Sequence, residues 1–375
     1  MNKLAFLFTV FWSFGAMAEA STDKQLLAEM MTTLDNQYIE PVDNAKTVTA
    51  GLNGLTDLDS GFTVSRGTDR IYIYHNHKMS GVVPIPKDDS DIKSWVNAIS
   101  KAINDAAKIS EKVALKDFEV PDLIMKRMTQ SLDEYSHYYS EYEYSEEEEN
   151  NAIFTLYSDR RFDDILYIRI RIFNKQTGKM VKQSLEENPD VSGVILDLRG
   201  NGGGIFNEAL KVAKLFCDND VITYTAGRNE QEKHYYTTGE GAIYTGPLVV
   251  IIDGKTASAA EVLAGGLQEL SRAEIIGAHS FGKGTIQKIT QMSNGGKLVL
   301  TSEQFFTPSG KPIHKTGVEP DVCLNYIVDG KCEQTERLNM EEDIDEAIKI
   351  LKGEKEEKEQ ESSDDTDSPS AETAE

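Results

Sequence analysis

Three short segments of this chain bring together residue types able to break an acyl bond. In the first, the apolar run from Leu248 to Ile252 gives way to Asp253-Gly254-Lys255-Thr256 and then to Ala257-Ser258-Ala259-Ala260-Glu261. A strand that breaks at a glycine turn and resumes as a helix sets the Ser258 hydroxyl beside backbone N–H groups with no helical partner. Those donors and the helix dipole favour negative charge, which a tetrahedral oxyanion carries. Thr256 or Ser258 acting only as a helix cap would satisfy the same pattern. In the second segment, Gly282-Lys283-Gly284-Thr285-Ile286-Gln287 leads into a strand. At period two, Lys283, Thr285 and Gln287 share one face. A lysine takes a proton from a hydroxyl only when neutral, which requires desolvation or a nearby cation; a solvated surface lysine is the ordinary alternative. The third segment, from Asp197 to Gly204, reads Asp-Leu-Arg-Gly-Asn-Gly-Gly-Gly between a strand and a helix. Its glycines allow backbone N–H groups close to a ligand, where they could serve an oxyanion together with the N–H of Ala259. A tight strand–helix turn is the plainer reading.

Other constellations compete. Gly277 and Gly282-Lys283 have the spacing of a phosphate loop, but Gly284 stands where Ser or Thr should bind magnesium, and a strand follows instead of a helix. Ser258, His279 and Asp197 are the residue types of a hydrolytic triad. His75-Asn76-His77 has metal-like spacing without an evident third ligand, and a surface hairpin explains it better.

The elements that must position these groups fall into two blocks. Leu26, Leu27, Met30, Met31, Leu34 and Tyr38 line one helical stripe. Residues 61–86 read as short strands, and 91–107 and 121–132 as helices, with Pro121 near the start of the latter. Residues 21–140 are therefore expected to form a mostly helical N-terminal region. Strands at 165–172, 193–198, 248–252, 275–276, 284–289 and 297–301 then alternate with helices at 175–187, 205–216 and 257–270, which indicates an α/β layer fold over residues 161–351. A last helix, 340–351, closes it.

The chain has 375 residues, 39 Lys+Arg against 63 Asp+Glu and a net charge of −24, which argues against nucleic acid and against an anionic membrane surface as partners. From 352 to 375 the sequence is acidic and has no large apolar residue, so a disordered tail is expected. Residues 141–160 read as an acidic linker. At the other end, Lys3, the apolar run from Leu4 to Phe14, and small residues at Ala16 and Ala18 form a secretory signal peptide over residues 1–20, with cleavage after Ala18 or Ala20. Export, most simply to a periplasm, implies an oxidising compartment, in which Cys323 and Cys332 flank a turn signal and are placed to pair. Cys217 lies in an apolar helical pattern and reads as a core thiol.

Taken in order, Asp197 to Gly204, Thr256-Ala-Ser-Ala-Ala-Glu261, Phe281-Gly-Lys-Gly-Thr-Ile-Gln287, and Thr307-Pro-Ser-Gly310 with Gly317-Val-Glu-Pro-Asp321 resemble the C-terminal processing peptidases, or tail-specific proteases. The segment from Leu132 to Tyr138 resembles that family's Leu-Asp-x-x-Ser-x-Tyr. The resemblance implies a ClpP/crotonase-like α/β peptidase core with Ser258 as nucleophile, Lys283 as general base and Gln287 orienting Lys283. It implies an oxyanion hole from Gly203 or Gly204 with Ala259, and no metal or cofactor. The implied function is an exported serine endopeptidase acting on proteins or peptides, with a non-catalytic peptide-binding or scaffolding relative as the alternative. Members usually carry a PDZ domain of ~90 residues, a module that captures a peptide by strand addition, between the Leu-Asp-x-x-Ser segment and the first core strand. The interval from Tyr139 to Ile165 is far too short for one. An adaptor or activator docking on an acidic segment, and a homo-oligomer, are further partner expectations.

Overall fold

The computed structural model describes residues 23–354 except 117–118, 142, 144–155, 162–163, 240 and 334–339. The expected signal peptide, most of the acidic linker and the tail from 355 lie outside the described residues.

A six-stranded sheet forms the centre of the second block. Its strands are β5 (Leu156–Arg161), β6 (Ile165–Ile170), β7 (Gly193–Asp197), β10 (Leu248–Ile252), β11 (Glu274–Gly277) and β14 (Val322–Cys323), in the order β14-β11-β10-β7-β6-β5. All pairings are parallel except β5 with β6. Every residue of β7 and β10 is buried, as strands covered on both faces must be, and this is why they read as unbroken apolar runs. Alternate residues divide between two cores. Leu166, Ile168, Val194, Leu196, Val250 and Ile252 pack beneath α7 (Thr177–Glu186), α8 (Phe206–Ala213) and α9 (Ala259–Glu269). Tyr167, Ile195, Val249, Ile251 and Ile276 pack against Ile344, Ala347 and Ile348 of α10 (Glu341–Lys352). The glycine loop and Ser258 follow the carboxyl ends of β7 and β10, neighbouring strands, where open α/β sheets bind their ligands.

A second sheet runs β12 (Thr285–Gln291), β13 (Lys297–Phe306), β8 (Val221–Ala226) and β9 (Lys233–Tyr236), with β4 (His137–Tyr139) pairing the start of β13. β13 joins the two blocks. Its Gln304–Phe306 end pairs with β8, while Leu298 and Leu300, with Met292, enter the N-terminal core. That core is built from α1 (23–37), α2 (Asn44–Leu52), α4 (Ile92–Ile109), α6 (Val120–Gln130) and a three-stranded sheet of β1 (Phe62–Arg66), β2 (Arg70–His75) and β3 (Lys78–Pro84) around Met30, Trp95 and Met128. The mixed α/β architecture with a mostly helical N-terminal region is thus the one expected. The sequence pattern missed α2, whose Thr and Val residues are weak helix formers; Asp43 caps it by accepting from Lys46 N (2.8 Å).

Cys323 and Cys332 form a disulfide, with Cα atoms 5.6 Å apart, across the hairpin of β15 (Tyr326–Val328) and β16 (Lys331–Glu333). Cys217 is a buried free thiol, pushed up to about 11 by burial.

Candidate active site

Ser258 occupies the corner between β10 and α9 with φ 57° and ψ −123°, backbone rarely adopted outside glycine. Such a conformation costs about 1–3 kcal/mol and persists only where surrounding bonds enforce it. They do so here. The fully buried Thr256 donates its hydroxyl to Leu198 O (3.0 Å), its own backbone N–H goes to Asp253 O (2.9 Å), and Ala257 N donates to Asn201 O (2.9 Å). Asn201, also fully buried, donates through Nδ2 to Ile170 O (3.0 Å). The β10–α9 corner is therefore stitched to the glycine loop, and that loop to the end of β6.

The residue that gathers the site is Glu261, in the first turn of α9 and fully buried. Its Oε2 accepts from the backbone N–H of Ser258 (2.7 Å) and from that of Lys283 (2.9 Å). Its Oε1 accepts from the Ser280 hydroxyl (2.5 Å) and from Gly282 N (2.6 Å). One carboxylate oxygen thus holds the backbones of the two expected catalytic residues side by side, although 25 positions separate them in the chain. Burial pushes the carboxyl above its ordinary pKa, and the four donors pull against that. Glu261 lies inside a quoted motif, but from sequence alone a glutamate three residues after a serine reads only as helix capping.

Lys283 precedes β12. Its Nζ sits 4.8 Å from the centre of the Tyr135 ring, a cation–π arrangement. Tyr135 belongs to the turn before β4, and Asp133 fixes that turn by accepting from Tyr135 N (2.7 Å), Ser136 N (2.8 Å) and Ser136 Oγ (2.9 Å). Thr301 N of β13 donates to Ser136 Oγ (3.1 Å). Burial, then the Glu134 carboxylate, push the phenol up to about 12, so it is neutral at physiological pH. His314 meets the same ring edge-on, with centroids 6.3 Å apart, and burial lowers its pKa. Neither Tyr135 nor His314 was singled out by sequence. Tyr135 stood at a variable position of a quoted segment, and nothing in the pattern marked His314.

Gln287 lies in β12 on the expected face, but its amide nitrogen donates to Thr285 Oγ1 (3.0 Å) and Thr301 Oγ1 (3.3 Å) and not toward Lys283. No hydrogen bond joins the Ser258 hydroxyl to the Lys283 amine in this conformation. Of the two glycines expected to face an oxyanion, Gly203 donates its N–H to Asn201 Oδ1 (2.8 Å). The N–H groups of Gly204 and Ala259 meet no acceptor among the described residues. Gly203 lies against Ser258: a Cβ there would stand 2.8 Å from Ser258 Cβ and 3.1 Å from Ala259 N, and its φ is +103°.

The competing constellations do not assemble. Asp197 is fully buried and accepts from Tyr167 OH (2.6 Å) and from Arg199 Nη2 (2.7 Å), while Arg199 reaches on to Asp343 (2.7 Å). His279 Nε2 lies 2.7 Å from Thr316 O. Asp197 and His279 therefore serve separate networks. His75 ends β2 and pairs with Asp59 (3.1 Å), and His77 sits in a tight turn with Asn76, both at positive φ, as a two-residue hairpin requires.

A serine on a strand–helix corner, a lysine whose backbone N–H meets the same buried carboxylate and a glycine loop with available donors are the parts expected of a serine-hydrolase type of site. Residues 164–324 match the model of peptidase family S41. Over 157 residues it is 38% identical to the carboxyl-terminal-processing protease of Synechocystis, covering 41% of this chain and 36% of that protein. It is 34% identical over 197 residues to a carboxy-terminal processing protease of Bacillus subtilis, covering 50% and 41% respectively. Among solved structures, a photosystem II D1 C-terminal processing protease aligns with 36% identity and a TM-score of 0.40 over 42% of each chain. The chain spans well under half the length of these curated relatives.

Proposed function

We propose that this chain is an exported serine endopeptidase of the C-terminal-processing type, cleaving protein or peptide substrates through an acyl-enzyme on Ser258. The observation that carries the reading is the shared Glu261 oxygen, which fixes the backbones of Ser258 and Lys283 next to each other. In the reaction, Ser258 Oγ attacks the peptide carbonyl carbon while the neutral Lys283 amine takes the hydroxyl proton. The N–H groups of Ala259 and of Gly204 receive the oxyanion, with Gly203 shaping the loop beside it. Collapse expels the amine, which takes the proton back from Lys283. Water, deprotonated by Lys283, then attacks the acyl carbon, and Ser258 Oγ leaves, taking that proton back from Lys283. Lys283 reaches Ser258 by leaving the Tyr135 ring, a rotation of a flexible side chain, and Gln287 supplies an amide oxygen to orient it there. No step calls for a metal or cofactor.

The test is cleavage of an unfolded protein by wild type, Ser258→Ala and Lys283→Ala, each confirmed folded by circular dichroism. Losing a nucleophile or its base should remove at least ~10³-fold of the rate. Wild-type turnover in Ser258→Ala would overturn the reading. Absence of turnover in all three, with no adduct from an activated serine reagent, would favour a peptide-binding scaffold. Export is tested by N-terminal sequencing of protein made with residues 1–20, which should begin after Ala18 or Ala20.

A further inference from the structure

Among the described residues of this strongly acidic chain, five lysines gather on two neighbouring helices. Lys175, Lys179 and Lys182, spaced i, i+4 and i+7, fall on one face of α7 and the residues just before it. Lys211 and Lys214 fall on the facing side of α8 and its cap. The two helices come close at Gly178, where a Cβ would meet Lys211 Cβ at 2.7 Å. The five lysines line a groove of about 390 Å³ closed by Leu215, Thr237, Gly239, Gly241 and Ile243. The buried carboxylate at its floor, Glu208, accepts from Gly178 N (2.9 Å) and from Lys211 Nζ (2.5 Å). Lys182 pairs with Glu186 (3.7 Å). Lys175, Lys179 and Lys214 have no ion-pair partner among the described residues. Like charges gathered this way repel one another, and an anionic ligand relieves that.

We propose that this groove is the docking site of the chain's own acidic C-terminal segment, residues 355–375. Three observations select that occupant. The segment carries Glu356, Glu357, Glu359, Glu361, Asp364, Asp365, Asp367, Glu372 and Glu375 against Lys355 and Lys358. It departs from the end of the sheet at which α7 also finishes, on the opposite face: Leu351 of α10 packs on Gly193, 3.0 Å from where a Cβ would sit, and Gly193 opens β7 directly after the connection from α7. Its length suffices, since 21 residues extend to ~70 Å, against two layer spacings of ~10 Å around the sheet and ~15 Å along a ten-residue helix such as α7. A tether of this kind presents its carboxylates at an effective concentration on the order of millimolar. The lysine line is elongated, so it suits a string of carboxylates better than a single anion. The inference does not depend on the peptidase reading.

The experiment is zero-length carbodiimide coupling of the full-length protein, followed by isolation of the monomer and mass spectrometry of the linked peptides. Links from 355–375 should concentrate on Lys175, Lys179, Lys182, Lys211 and Lys214. They should fall at least about fivefold at 1 M salt, where the screening length shrinks to ~3 Å. The triple variant Lys175→Glu, Lys179→Glu, Lys214→Glu, which leaves the Glu208 contacts in place, should show the same loss at low salt with unchanged circular dichroism. Tail links spread evenly over lysines elsewhere, such as Lys46, Lys93 and Lys255, would overturn the proposal. So would groove links found only in a covalent dimer, which would seat the tail on a second copy, or a groove that couples to an added acidic peptide while the tail remains unlinked.

Discussion

Replacing Glu261 with Gln keeps the volume of the side chain and removes its charge, so the consequence can be worked out bond by bond. The carboxylate accepts four hydrogen bonds, two on each oxygen. An amide offers one acceptor oxygen and an NH2 group that only donates. If its NH2 takes the place of Oε2, the N–H groups of Ser258 and Lys283 both lose their acceptor and face a donor. If it takes the place of Oε1, the Ser280 hydroxyl can turn to accept, and only Gly282 N is orphaned. The second arrangement is cheaper and should prevail. It costs about 1–3 kcal/mol for one unsatisfied buried N–H, and the remaining bonds drop from charge-assisted to neutral strength. A total of roughly 3–5 kcal/mol lies at the far end of single substitutions and corresponds to a melting-point drop on the order of 10 °C. Activity should fall further than folding does. The loop before β12 loses one of its clamps, at Gly282 N, and a misplacement of ~1 Å at a reacting group costs about 10²-fold in rate. Thermal unfolding and cleavage of an unfolded protein, measured on the same preparations below the melting point, separate the two effects. Glu261→Gln with wild-type melting and wild-type kcat would refute the idea that this carboxylate assembles the site.

Other substitutions probe neighbouring parts of the same argument. Gly203→Ala should cut kcat by at least about tenfold, because the methyl would stand 2.8 Å from Ser258 Cβ and 2.9 Å from Ala257 O at a φ of +103°; the split between kcat and KM reads this out. Asp197→Asn should destabilise by about 3–5 kcal/mol in urea unfolding, since Arg199 would lose one of the two carboxylates that neutralise it in a buried setting. Cys332→Ser should cost about 2–3 kcal/mol for opening a loop of ~10 residues, with the same loss when wild type is reduced. Asp59 accepts from the Ser110 hydroxyl (2.7 Å), Gly61 N (3.1 Å) and His75, and these bonds hold its carboxyl well below the usual range. A depressed folded-state pKa contributes stability that is complete above the unfolded value of ~3.9 and disappears as pH falls toward the folded value. The difference in urea midpoint between wild type and Asp59→Asn should therefore hold steady from pH 7 to 5 and shrink below pH ~4.

The parts of the fold legible in sequence were those whose burial is uniform along an element. β10 was read from Leu248 to Ile252 as it stands, because a strand covered on both faces leaves no polar position to blur it. α4 and α10 were read from one-sided apolar stripes. β8 and β9 were not, since their Thr, Tyr, Lys and His residues alternate against a sheet that only the tertiary fold supplies. The candidate site divides in the same way. Ser258, Lys283 and the glycine loop could be picked out because strand ends followed by glycine are local signals. Which glycine N–H remains available was not a local question. It turns on Asn201, whose Oδ1 takes up the N–H of Gly203 while its carbonyl holds Ala257.

The N-terminal region bears on the chemistry through β13. The strand is ten residues long and belongs to two cores, so the β12–β13 hairpin cannot move relative to the N-terminal helices without exposing Met292, Leu298 and Leu300. Lys283 enters that hairpin at one end, and Tyr135 reaches Lys283 from the turn before β4, which pairs with the other end of β13. Lys283 and the ring it rests on are therefore carried by one hydrogen-bonded unit, while Ser258 follows β10 of the six-stranded sheet. Glu261 crosses between them. A carboxylate is the suitable bridge, because its two oxygens can each accept two donors, here three backbone N–H groups and the Ser280 hydroxyl, which would otherwise be buried without partners. The same geometry explains why removing the N-terminal region should not leave a working core: the cut would take away β4, one partner of β13, and the ring beneath Lys283, even though every residue of the Ser258 corner would remain.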